Sequence, residues 1–128
     1  MMFDPQLAPE ALQRQLRDKP DNLLVVCYCA LWCDTCNQYR PQFEALANQW
    51  PRHTFIWVDI EESPDWLGDE DVENFPTILV QQPDGRNLFF GTQLPHIRHL
   101  ERLLGHLEQT PGSQAEGGPP PLRGMMEI

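Results

Sequence analysis

The sequence predicts a three-layer α/β fold, in which a central mixed sheet carries helices on both faces. Three observations point to it. The stretch from Leu23 to Ala30 is too continuously apolar for a strand with one wet face, so it reads as a central strand buried on both sides. Apolar residues at helical spacing lie before and after it. Two strand-like runs, Thr77 to Gln81 and Asn87 to Phe90, flank the turn signal Gln82-Pro83-Asp84-Gly85-Arg86. The element order is then αβαβ followed by ββα. A crossover helix joins parallel strands and a hairpin is antiparallel, so the sheet must be mixed.

Each element has its own signal. Leu7, Ala11, Leu12 and Leu16 recur at helical spacing between Pro9 and Pro20 and predict a short first helix, which Asp21-Asn22 ends. After the apolar strand, a second helix covers about Asp34 to Gln49, with Tyr39, Phe43, Leu46, Ala47 and Trp50 as its apolar stripe and Pro41 as an expected kink. Thr54 to Ile60 is a β-branched and aromatic run closed by acids. The last helix starts near Pro95, a residue suited to a first turn, and places Ile97, Leu100, Leu103, Leu104 and Leu107 on one face.

The 128 residues suffice for one domain, and domains of about 100 to 150 residues are the commonest. That domain is expected over residues 1–109. The last 19 residues, Thr110 to Ile128, hold four Gly and four Pro, and predict a flexible tail over 110–128 in which docking of Leu122, Met125 or Met126 is the lesser alternative. The longest apolar run, Leu23 to Cys33, has 11 residues, against about 20 for a membrane span. A secretory signal pattern is missing from the start of the chain, so a cytoplasmic protein with no membrane association is expected. In that reducing compartment four cysteines point to redox or metal chemistry rather than a structural framework.

Nine Lys plus Arg against 19 Asp plus Glu give a net charge of −10, which repels phosphate backbones and argues against nucleic acid as a partner. Eight of the acids fall between Asp59 and Glu73 with no Lys or Arg among them. The run reads as a solvated face, with a docking patch for a basic partner as the alternative.

Trp32-Cys33-Asp34-Thr35-Cys36 falls where the buried strand ends and the second helix begins. A helix N-terminus offers free backbone N–H groups and a positive dipole end, both of which favour a thiolate, so Cys33 is the candidate nucleophile. Two intervening residues let Cys36 reach back, which makes it the candidate resolver of a mixed disulfide on Cys33. Asp34 opposes the thiolate, which favours the disulfide form and a more reducing couple.

These residues, with Ala30 and Trp32 before the dithiol, Pro41 after it, Phe75-Pro76-Thr77, the Pro83-Asp84-Gly85 hairpin, Gly91 and the closing helix, resemble the thioredoxin family over roughly residues 7–108. A lone Cys-x-x-Cys is a weak signal. Joined to a hydrophobic-Pro-Thr triplet some 40 residues downstream, it is strong. The resemblance implies a thioredoxin-like fold, a cis Pro76 against the dithiol, and substrate contacts by Trp32, Phe75 and Pro76, with Phe75 pairing to an extended substrate strand. An ordinary strand-edge turn is the plain alternative for Pro76. The implied activity is thiol:disulfide exchange by a monomer that needs no bound cofactor. Its partners would be disulfide-containing proteins and a dithiol reductant such as thioredoxin reductase. The alternative is an interaction module or assembly chaperone with little turnover.

The sequence also departs from the family. Cys27 takes the position of the family's buried aspartate, its proton relay, and Trp57 the position of the partnering lysine. Cys29 takes a position that is aromatic in the family, and the extra edge strand at the start is available only if Met1 to Phe3 supply it. Cys27 and Cys29 share one face of their strand and read as core packing, with an auxiliary disulfide or sensor as the alternative. A zinc site built from the four cysteines is disfavoured, because two of them sit in the buried strand. His96, His99 and His106 read as a solvated helix face, and Arg40 as a surface charge, with contact to the acids near the site as the alternative.

Overall fold

The computed structural model describes residues 1–109, 114–115 and 117–125. Five strands and three α-helices follow one another along the chain: β1 (Met2–Phe3), α1 (Pro9–Asp18), β2 (Leu23–Cys29), α2 (Asp34–Gln49), β3 (His53–Asp59), β4 (Thr77–Gln81), β5 (Asn87–Thr92) and α3 (Ile97–Gln109). Short 3-10 turns cover Pro64–Leu67 and Arg123–Met125. The strands form one mixed sheet in the order β1-β3-β2-β4-β5. β1 and β2 both run parallel to β3, while β4 runs antiparallel to β2 and to β5. The first three residues do supply the edge strand, with Met2 opposite Phe55 and Phe3 opposite Ile56.

β2 is central because its sequence can be buried on both faces. Val25, Cys27 and Cys29 point into one core with Tyr39, Phe43 and Leu46 of α2 and Leu100 and Leu104 of α3. Leu24, Val26 and Tyr28 point into the other, with Leu12 and Leu16 of α1 and with Trp66 and Leu67. Alternation along a strand produces this split, and a helix on each face is what makes both sets apolar. α2 stays helical through Pro41. The last helix begins at Ile97, two residues beyond the Pro95 expected from sequence. No helix among the described residues is long and apolar enough to cross a membrane.

The flexible tail expected over 110–128 is corrected where the structure describes it. Leu122 is fully buried in the α1-side core. Its N–H donates to Gln81 Oε1 at 2.9 Å, and Gln81 Nε2 donates to the Pro120 carbonyl at 3.1 Å. Asn87 Nδ2 reaches the carbonyls of Gly117 and Pro119, and Arg123 reaches those of Leu16 and Asn22. The physical reason is twofold. α1 and the Pro64–Leu67 turn leave apolar surface near Leu79 and Phe90 to be covered, and a proline-rich segment loses little conformational entropy when it is ordered. Residues 110–113, 116 and 126–128, Met126 among them, lie outside the described residues.

Candidate active site

The strand-to-helix junction is built by backbone hydrogen bonds that the loop Leu31–Cys33 cannot make in regular structure. Cys33 is the N-cap of α2, with φ −89° and ψ 114°. Its N–H donates to the Ala30 carbonyl at 3.0 Å, and its own carbonyl accepts from Asn37 N–H at 3.1 Å. Asn37 Nδ2 holds the Leu31 carbonyl at 3.1 Å, and Leu31 N–H donates to Asp59 Oδ2 at 3.0 Å. Asp59, first of the acidic run, also accepts from the backbone N–H of Glu61. This end of the run therefore shapes the loop beside Cys33 rather than only staying wet.

Trp32 is exposed. Its indole N–H donates to the Glu61 carboxylate, and its ring meets Phe75 edge to face, with centroids 5.8 Å apart. The Phe75–Pro76 peptide is cis, as the resemblance implies. Thr77 Oγ1 closes that loop by donating to the Asn74 carbonyl at 2.7 Å, and Gln93 N–H donates to the Pro76 carbonyl at 3.0 Å. Cys33 and Phe75, both half-buried, pack on the same core cluster that contains Cys29 and Cys36. Trp32, Cys33, Cys36 and Phe75-Pro76, singled out from sequence, thus meet at one end of the sheet.

The cysteine pairing differs from the expected one. Cys36 is joined to Cys29, with 5.8 Å between their Cα atoms, while Cys33 and Cys27 are unpaired thiols. Cys36 lies in the first turn of α2 and faces the sheet, so the neighbouring strand residue competes with Cys33 for it. Both bonded cysteines are buried. Cys29 lies on the face expected from the alternation of β2, and of its two expected roles, core packing or an auxiliary disulfide, it takes the second. A cysteine stands where the family has an aromatic ring, and it lies on the face that α2 covers.

Cys27 lies opposite Trp57 across the β2–β3 ladder, and its Sγ is 3.8 Å from that of Cys29. Burial pushes its thiol well above the ordinary cysteine range, so it stays protonated near neutral pH and acts as a thiol rather than as a base. Tyr39 is also buried here, and its hydroxyl has no hydrogen-bond partner among the described residues. Trp57 is not without a charge beside it, because the Arg40 guanidinium lies 5.3 Å from its ring centroid and 3.7 Å from Asp4. Arg40 meets Asp4 near the start of the chain and not the acids of 59–73. Among the described residues no three His, Cys, Asp or Glu side chains converge to hold a metal, and His96 and His99 meet edge to face at 6.4 Å.

Comparison with known proteins follows the same outline. A family profile described as Thioredoxin matches residues 5–94. The chain belongs to the thioredoxin family. It is 34% identical over 68 residues to thioredoxin of Mus musculus, covering 53% of this chain and 65% of that protein. It is 33% identical over 60 residues to thioredoxin-1 of Saccharomyces cerevisiae, covering 47% of this chain and 58% of that one. The matched part is therefore less than two thirds of the length of either relative. The fold is shared with Fasciola hepatica thioredoxin at a TM-score of 0.67 and 24% identity, over 82% of this chain and 98% of that one. Thioredoxin f from spinach chloroplast matches at a TM-score of 0.65 and 15% identity, over 84% and 93%. This chain is thus a member of the thioredoxin family with a redox-capable cysteine pair that links the end of β2 to the first turn of α2.

Proposed function

We infer that the protein is a thiol:disulfide oxidoreductase that reduces disulfides in other proteins. The observation that carries this reading is the half-buried Cys33 thiol at the N-terminal end of α2, sharing a cluster with the Phe75 of a cis Phe75–Pro76 loop. Cys33 attacks a substrate disulfide, forming a mixed disulfide and releasing one substrate thiol. Reduced Cys36 then attacks the Cys33 sulfur and releases the second, leaving both electrons in the substrate and a disulfide in the protein. Phe75 and Pro76 offer backbone to an extended substrate strand, and Trp32 borders it. The reductant is proposed to be another dithiol protein. One structural neighbour is thioredoxin f2 in a complex with ferredoxin:thioredoxin reductase, which supports a partner of that kind. A reducing compartment, the cytoplasm, suits this direction of exchange.

A second reading, an interaction module with little turnover, is favoured by one observation. With Cys36 bonded to Cys29, the resolver is occupied in this state. Reduction of a protein disulfide with dithiothreitol as electron source separates the two. The enzyme reading expects catalysis above the dithiothreitol background, abolished in Cys33→Ser, and covalent trapping of substrate by Cys36→Ser. Binding of the substrate without accelerated reduction supports the module.

A further inference from the structure

Cys36 stands within reach of two partners. Cys29 is bonded to it across 5.8 Å between Cα atoms, within the span a disulfide bridges. Cys33 lies three residues before it at the start of α2, on the same side of the helix. The two competing sulfurs sit in opposite surroundings. Cys29 is buried among Val25, Phe43, Ile78 and their neighbours, whereas Cys33 is partly exposed and caps a helix. Cys29 Sγ is sealed from water, while Cys33 Sγ lies at the surface, at the first turn of α2. Exchange between the two pairings therefore expels Cys33, the sulfur that solvent and partners reach, and keeps the buried Cys29 bonded. The Cys27 thiol, 3.8 Å from the Cys29 sulfur, adds a donor beside the same bond.

We propose that Cys29 is a third catalytic thiol, to which the disulfide formed at Cys33–Cys36 is transferred, so that the oxidised protein stores its disulfide in the core and regains a reactive Cys33. The proposal rests on the oxidoreductase reading and adds one step to it. The Cys29 thiol attacks Cys36 Sγ, the Cys29–Cys36 bond forms, and the Cys33–Cys36 bond breaks. The proton lost by Cys29 is matched by one taken up at Cys33, with no net change in oxidation state. The oxidised chain can then capture a second disulfide-bearing partner at Cys33 as an adduct that Cys36 cannot resolve. A reductant that opens Cys29–Cys36 releases it.

The experiment treats the fully reduced full-length chain with one equivalent of a peptide disulfide, quenches by acid at intervals, and maps the pairing by differential alkylation and peptide mass spectrometry. Cys33–Cys36 should form first and convert to Cys29–Cys36, and Cys33 should recover alkylation with the same delay. In Cys29→Ala and Cys29→Ser the reaction should stop at Cys33–Cys36, with Cys33 protected. Cys33→Ser should not oxidise its Cys29–Cys36 pair with this peptide. A wild-type end state of Cys33–Cys36, or an equally fast Cys29–Cys36 bond in Cys33→Ser, overturns the transfer. The oxidoreductase reading is scored apart, by dithiothreitol-coupled turnover. Turnover with a Cys33–Cys36 end state sinks only the third thiol, whereas absence of both turnover and a Cys33 adduct sinks the reading beneath it.

Discussion

His53 opens β3, and its two buried ring nitrogens have no hydrogen-bond partner among the described residues. Its ring packs against Trp50 at 5.4 Å, and the Arg52 guanidinium lies on the other partner of that contact, 5.7 Å from the Trp50 centroid. Burial lowers its pKa from 6.5, more than the Arg52 backbone and the Glu108 charge raise it. In the unfolded chain this histidine takes up a proton as pH falls through its ordinary value, while in the folded chain it resists. Stability from this group is therefore present above the unfolded pKa and lost as pH falls through the folded one. His53→Phe, which keeps the ring contact and cannot titrate, should flatten the decline in urea midpoint between about pH 7 and pH 5. An unchanged slope in the variant would refute the assignment to His53. Tyr28 offers the contrast, because its buried hydroxyl donates to the Trp66 carbonyl at 2.6 Å.

The clearest departure among the elements is the Pro-rich segment that ends in Leu122. Sequence periodicity located β4 at its observed bounds and α2 as well, because a hairpin signal and a helical stripe are local facts. The docking of 117–125 is not local. It depends on apolar surface left uncovered on the α1 side and on Gln81, a buried polar residue whose amide must find partners. Neither is visible in the segment's own composition, which reads as flexible. Leu122 is fully buried, so Leu122→Ala should lower stability by about 2–5 kcal/mol, the range of such large-to-small core changes. Gln81→Ala leaves the Leu122 N–H and the Pro120 carbonyl without their side-chain partner and should loosen the same segment. Chemical denaturation checks the first, and faster amide exchange at Leu122 the second. A cost for Leu122→Ala within the scatter of surface substitutions would mean that the segment is not held in solution.

In the whole molecule the sheet separates two cores with different duties. The α2 side holds the cysteines and the cis-proline loop, and the α1 side holds Tyr28, Trp66 and Leu122. This division was legible as a fold, since the both-sides-apolar β2 demands a layer on each face. The site was legible as a set of residues, because Cys33, Cys36, Phe75 and Pro76 carry a spacing signal. Its pairing was not, since choosing between Cys33 and Cys29 for Cys36 needs the distance from helix to strand, which no spacing along the chain contains. Reduction of Cys29–Cys36, seven residues apart, removes a short loop constraint and should cost about 2 kcal/mol. Removal of residues 114–128 should cost a comparable amount on the other face through Leu122 and the hydrogen bonds around it. The two features lie in separate clusters on opposite faces of the sheet, so the perturbations should add. Unfolding midpoints for full-length and shortened chains, each oxidised and reduced, make the double cycle. Additivity within about 0.5 kcal/mol is expected. A larger coupling would show that the sheet transmits the redox state of the α2 side to the docked segment.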